Sequence, residues 1–260
     1  MDEVRPTRAL SLFALSHFPL IEPGADLGEV ICRLCETYGP ALLDRDVVVV
    51  AQKVVSKAEG RYVDLAAVKP GEHASALAEQ VQKDPRSVEV ILSESRRVLR
   101  YRPGVLIVEH KLGFVVANAG VDQSNVDPAT GAQPVLLLPE DPDASALRLH
   151  EQFRQRLGRA VAVVINDSFG RAWRLGTVGV ALGAAGLPAL INLRGTPDLY
   201  GRRLQVSETA FADEIAAAAS LLMGQASEAT PVVVLRGLQW PGLGLPAAAL
   251  IRSPQDDLFR

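Results

Sequence analysis

The chain has 260 residues, 48% hydrophobic and 22% charged, which is enough for one large domain or two small ones. This balance excludes a disordered, collagen-like or coiled-coil chain. A formal net charge of −3 offers no basic field for nucleic acid, and no run approaches the roughly 18–20 apolar residues of a membrane span.

The stretch Arg8 to His17 has the faint look of a signal h-region, but no cleavage site follows and His17 and Pro19 come at once. It reads as a first strand over 9–16, in a cytoplasmic protein. A helix follows over 26–38, with Leu27, Val30, Ile31 and Leu34 on one face. It carries Cys32 and Cys35, whose CxxC spacing matches a zinc or redox pair. No second pair exists, so both read as helix residues turned partly inward. Four consecutive valines make Asp46 to Val50 a buried strand. Helices are predicted over 72–83 and 86–99, the second opened by Asp84-Pro85. Gly104 to Glu109 and Gly113 to Asn118 read as paired strands. Then come a helix over 143–157, a buried strand over 160–165, an Ala-rich helix over 208–223 and a strand over 231–235. The elements alternate irregularly, so the fold class is mixed α/β without clean βαβ repetition.

P-loop, GxGxxG, GxSxG, HExxH and EF-hand patterns are absent. The glycine-rich run Gly179 to Gly186 reads as tight packing rather than a phosphate loop. Three polar clusters remain, each placed just after an apolar strand, where α/β proteins collect their sites. The first holds Gln52, Lys53, Ser56 and Lys57, two of only five lysines in the chain. Its ammonium groups can converge on a polyphosphate, or the segment is a solvated loop. The second is Asn118 to Asn125, with Asp122 in a turn. The third is Asn166-Asp167-Ser168, carried to the end of a buried strand. An Asp with an adjacent hydroxyl suits Mg²⁺ or Mn²⁺. Composition and spacing leave open a nucleotide enzyme, a phosphosugar enzyme or a structural acidic turn.

Seven blocks in order carry a resemblance: FPLI at 18–21, VVVVAQKVVSKAEGR at 47–61, ANAGVDQSNV at 117–126, LLLPEDPDASA at 136–146, NDSFGRAWRLG at 166–176, LRGTPDLYGRRL at 193–204 and LLMGQA at 221–226. Together they are similar to the GTP-dependent ligase family that adds L-glutamate to coenzyme F420-0, over residues of about 10–260. The resemblance implies an enzyme in which the acceptor carboxylate takes the γ-phosphate of GTP. The resulting acyl phosphate then yields an amide to glutamate. Two alternatives stand beside it: the same scaffold acting on another carboxylate or amino acid, and a nucleotide- or deazaflavin-binding protein without catalysis.

The resemblance also implies site residues. GTP contacts fall on Phe18, Pro19, Leu20, Ile21, Gln52, Lys53, Lys57, Asn125 and the run Met223, Gly224, Gln225, Ala226, Ser227, Glu228, Ala229 and Thr230. Metal ligands fall on Asp122, Asp167, Ser168 and Gln225, for two Mg²⁺ or Mn²⁺ ions, with K⁺ as a further candidate. Asp122, Asp167 and Lys57 are the residues expected to carry catalysis. Arg171, Arg174, Arg194 and Arg202 are candidates to clamp carboxylate and phosphodiester groups, and Trp173 or Tyr200 to stack on the deazaflavin ring. The family pattern implies a family-specific fold and a homodimer. Gly104–Asn118 and the Ala-rich helix are the expected packing surfaces of that dimer. The chain is expected to form a single domain over 1–260, two interleaved lobes being the alternative, with no C-terminal nitroreductase-like flavin domain. Two departures stand out: Ala172 where the pattern has Pro, and Gly179 where it more often has a polar residue.

Overall fold

The computed structural model describes residues 8–124 and 133–258. It begins with strand β1 (Ser11–Ala14) and helix α1 (Leu27–Tyr38). Asp26 caps α1 by accepting the Glu29 N–H at 3.0 Å, and Ile31, Leu34 and Cys35 turn into the core. Both cysteines are free and buried. Burial pushes the Cys35 thiol up to about 12, so the pair is a packing feature without thiolate character. Strand β2 (Val47–Ala51) runs straight into helix α2 (Gln52–Ala58). The first polar cluster is therefore helical rather than a solvated loop.

Strand β3 (Tyr62–Asp64) precedes helices α3 (Glu72–Val81) and α4 (Pro85–Ser93). The helix expected over 86–99 ends at Ser93, because Ser95 opens β4 (Ser95–Arg102). The apolar stripe of Val88, Ile91 and Leu92 stops there. The arginines beyond it reach instead for Glu109 on β5 (Val105–His110), Arg97 at 2.8 Å and Arg96 at 3.6 Å. Strand β6 (Val115–Ala117) completes a three-stranded antiparallel sheet whose inner face packs on α3 and α4. The short strand β7 (Pro134–Leu136) pairs with β3.

Helix α5 (Pro142–Leu157) is capped by Asp141. Strand β8 (Ala162–Arg171) runs six residues past the expected end and turns back as β9 (Arg174–Ala185). Strands β10 (Ile191–Asn192) and β11 (Glu208–Thr209), helix α6 (Phe211–Met223) and strand β12 (Val232–Arg236) follow. The main sheet has the order β1-β12-β2-β8-β9. Within it β2 and β8 run parallel, and β12 runs antiparallel to β2.

The valine run of β2 is explained by helices on both faces. Val48 and Val50 join α1 and α5 in one core, while Val47 and Val49 join α6 in the other. The Ala-rich face of α6, with Ala212, Ala216 and Ala219 fully buried, packs on its own sheet. The Gly104–Asn118 hairpin likewise packs on α3 and α4. The two surfaces expected to meet a partner copy are thus largely used inside the chain.

Burial makes one side chain pH-sensitive. His110 is 2% exposed. Its Nδ1 accepts the Leu112 N–H at 3.0 Å, and its Nε2 lacks a hydrogen-bond partner among the described residues. Burial pushes its pKa down to about 4. The folded state holds the ring neutral while an unfolded chain protonates near 6.5. Stability is therefore full above about 6.5 and is lost as pH falls toward 4, by up to about 3 kcal/mol. Between pH 7 and 4.5, thermal melts should show a steeper fall for the parent chain than for His110→Asn. Parallel curves would remove His110 as the cause.

Candidate functional site

The parallel pair sets the site. Ala51 lies opposite Asn166, the last residue of β8 that pairs with β2. Beyond this point β2 delivers Gln52 and Lys53 on the first turn of α2, and β8 continues with Asp167 and Ser168. The C-terminus of α6 reaches the same edge, where Asn166 Nδ2 donates to Ser220 Oγ at 3.0 Å and meets Met223 Sδ at 3.3 Å. Asp122 arrives from a different direction. Its backbone pairs with Leu136, just after Asn118, Ala119 and Gly120, which hold consecutive positive φ of 53°, 53° and 68°. Such a left-handed turn is sparsely populated for residues with a Cβ and needs its surroundings to hold it. Here Ala119 is buried in the smaller core, and a Cβ at Gly120 would press on Leu138 at 2.7 Å.

Lys53 closes the arrangement. Its Nζ lies 2.7 Å from Asp122 Oδ2 and 2.5 Å from Ser124 Oγ. Ser124 N–H donates to Asp122 Oδ1 at 2.7 Å. Partial burial opposes ionisation of Asp122, but Lys53 and the Ser124 N–H outweigh it, and the carboxyl sits below its ordinary range. Asp167 goes the other way. Burial raises it, the neighbouring Asp122 charge adds to that, and the Ser168 N–H, Lys53 and Gln52 offset only part. Two carboxylates at one spot thus share one ammonium group. That charge deficit suits a cation, and the oxygen donors suit a hard one. Among the described residues no cluster of three or more His, Cys, Asp or Glu forms a metal cage. An ion here would be completed by water and phosphate oxygens, as Mg²⁺ often is.

A cleft of about 1490 Å³ opens from this point. Gln52, Asn118, Asp122, Asp167 and Ser168 line one part of it, and Arg171 and Arg174 line the β8–β9 hairpin side. Asp213, on the first turn of α6, lies in its wall and accepts the Ala181 N–H at 2.9 Å. Nothing in the sequence singles Asp213 out from other helix-start acids.

The remaining candidates divide. Lys57 is one turn after Lys53 on α2 and half-buried. The loop holding Phe18, Pro19, Leu20 and Ile21 runs beside that helix, since Gly24 N–H donates to the Ala58 carbonyl at 2.8 Å. Ile21 is buried and Leu20 is 89% exposed. Met223 is buried against Asn166, whereas Gln225, Ala226, Ser227, Glu228 and Ala229 are exposed beyond Gly224. Thr230 turns back to donate to the Leu222 carbonyl at 3.0 Å. Glu228 accepts the Ala226 N–H at 2.8 Å, and backbone N–H groups of this loop hold it below the usual carboxylate range. Asn125 lies outside the described residues. Arg194 is paired with Glu208 at 3.0 Å. Trp173 and Tyr200, 89% and 96% exposed, are not among the residues lining the cleft.

Residues 16–237 match the family model described as F420-0:Gamma-glutamyl ligase. The chain belongs to this ligase family. It is 46% identical over 245 residues to the coenzyme F420:L-glutamate ligase of Methanopyrus kandleri, covering 92% of this chain and 93% of that one. Identity to the protein of the same name from Methanothermobacter thermautotrophicus is 43% over 253 residues, 96% and 99% of the two chains. For that of Archaeoglobus fulgidus it is 40% over 251 residues, 96% of each. At Gly179 this chain has no room for a side chain. A Cβ there would collide with Ser220 Oγ and lie 2.7 Å from the Ala216 carbonyl carbon. Among the described residues no helix is long and apolar enough to cross a membrane.

Proposed function

We propose that this chain is a GTP-dependent ligase that joins the carboxylate of coenzyme F420-0 to the amine of L-glutamate. The observation that carries the reading is the meeting of Asp122, Asp167 and Ser168 in one cleft, with Lys53 ion-paired to Asp122 beside it, in a chain whose relatives bear that ligase name. A carboxylate does not condense with an amine at neutral pH without activation. In this reading an acceptor carboxylate oxygen attacks the γ-phosphorus of GTP, and GDP leaves. The glutamate amine then attacks the acyl carbon, phosphate leaves, and the amine loses a proton.

The protein's part is positioning and charge neutralisation. Lys53 and Lys57, one helical turn apart, hold phosphate oxygens. Arg171 and Arg174 present guanidinium forks to anionic groups of the acceptor. Asp122, Asp167 and Ser168 would hold Mg²⁺ or Mn²⁺, with Gln225 brought in by the loop after α6. Such an ion supplies neutralisation of the phosphate charge when bound. Mass spectrometry of F420-0 incubated with GTP, Mg²⁺ or Mn²⁺ and L-glutamate tests the reading. A product heavier by one glutamyl residue, with GDP released, supports it. An unchanged acceptor overturns it.

Lys57→Ala should raise the KM for GTP more than tenfold, because a charge-assisted phosphate contact is worth about 1.5–3 kcal/mol. The KM for glutamate should stay nearly constant. Equal weakening of both substrates would assign Lys57 a purely structural part.

We also infer a homodimer in the cytoplasm. Its support is the number of large apolar side chains left exposed, Trp173 and Leu175 on the β8–β9 hairpin and Leu199, Tyr200 and Leu243 on later loops, all at least 89% exposed. Light scattering should give about twice the chain mass of 27.8 kDa. A single-chain mass with full ligase activity would refute it.

A further inference from the structure

The cleft does not end at the carboxylates. Its other part is walled by half-buried apolar side chains of the small sheet and its β5–β6 turn, including Ile107, Leu112 and Phe114. The C-terminal segment closes this part. Ile251 and Leu250 line it, and Ile251 lies over the β5–β6 turn, 3.4 Å from where a Cβ at Gly113 would sit. This segment falls beyond the 16–237 matched by the family model.

Phe, Trp and Tyr make up only 5% of the chain, yet two phenyl rings and an imidazole gather here. Phe114 is stacked on His110 at 5.0 Å with 9° between the planes, and Phe169 meets Phe114 at 5.3 Å, tilted 57°. Phe169 is two residues along β8 from Asp167, roughly 7 Å of strand. The apolar wall and the carboxylates are therefore one ring contact and two strand residues apart, within a single cleft. A ligand that fits has a flat apolar end, a spacer and an anionic end.

We propose that this apolar chamber, walled by Leu112 and Phe114 and closed by Ile251, seats the flat aromatic ring of the carboxylate acceptor. The proposal rests on the ligase reading above. It moves the ring from the exposed Trp173 and Tyr200 to a wall backed by His110. A rigid aromatic wall of this kind favours a planar partner by offset stacking and by displacing water from apolar surface. The C-terminal segment then acts in acceptor choice, through Ile251, without touching the reacting atoms.

The test is equilibrium binding of F420-0, read by its own fluorescence, with no GTP present. A second probe is the deazaflavin ring with its ribityl chain alone, lacking phosphate and carboxylate. Ile251→Ala and Phe114→Leu should each weaken both probes about tenfold or more. The KM for GTP should stay within twofold, and the melting temperature of Ile251→Ala close to that of the parent. Parent-like binding of both probes by both variants overturns the chamber as the ring's seat. A raised KM for GTP with unchanged probe binding also overturns it, and places the nucleotide base there instead. A parent chain that neither binds nor extends F420-0 defeats the ligase reading itself, a result visible before any variant is compared.

Discussion

Replacing Asp167 with Asn should reduce glutamate ligation by about a thousandfold or more, the scale seen when a charge-handling group at a reacting centre is removed. The fold should survive the change. Asparagine keeps an oxygen for the Ser168 N–H that Asp167 accepts at 2.8 Å. Burial holds the Asp167 carboxyl above its ordinary range, so the charged form is disfavoured in the folded chain. A neutral amide removes that cost. Asp167→Asn should therefore melt at or above the temperature of the parent while making almost no product. The sign follows from linkage. A carboxylate with a raised folded pKa weakens the native state at neutral pH and ceases to do so as pH falls through that pKa. Mass spectrometry of the acceptor and calorimetry on one preparation decide the matter. Parent-like product at saturating metal would take Asp167 out of the site. Activity loss with a large drop in melting temperature would make it a folding residue.

Gly183→Ala should destabilise the chain by about 3 kcal/mol, or roughly 6–12 °C in melting temperature. A Cβ at 183 would run into the Pro142 carbonyl and lie 2.9 Å from the Asp143 nitrogen. Those are backbone atoms at the start of α5, and they cannot rotate aside. The same turn is pinned by Asp143, which accepts N–H groups from Ala184 at 2.8 Å and from Ala247 at 2.7 Å. Relief by moving α5 would break both. Gly176 has open space around it but a φ of +81°, so Gly176→Ala should cost only about 1 kcal/mol through backbone strain. A melting temperature for Gly183→Ala equal to that of Gly176→Ala would disprove the packing account.

Much of this was legible beforehand because it rests on local rules. The valines of β2, the Asp84-Pro85 start of α4 and the apolar stripe of α1 are short-range signals, and they mark elements that form as expected. Tight packing was also the reading of Gly179 to Gly186, and it holds at 179, 183 and 186, where an added Cβ would meet Ser220, Pro142 and His150. The strand β9 that contains Gly179 and Gly183 was not legible. Glycine has weak strand propensity, and its place in the sheet comes from the partner strand β8. The early end of α4 was hidden for a related reason. Arg96 and Arg97 are compatible with a helix surface, and only Glu109 on another strand makes extended backbone the better choice.

By itself the sequence determined the mixed α/β class, the buried strands β2 and β8, and the acids and lysines proposed for the chemistry. Each is written in side-chain type and short spacing. Tertiary structure alone decided that Lys53 belongs to Asp122, 69 positions apart, at 2.7 Å. It decided that Asp122 ionises readily while Asp167 resists, since the two differ in burial and in the nearest cation. It also decided that the apolar wall of Phe114 and the distant Ile251 share a cleft with those carboxylates. Such pairings depend on chain reversals whose geometry is set by the packing of whole sheets, and no local pattern records them.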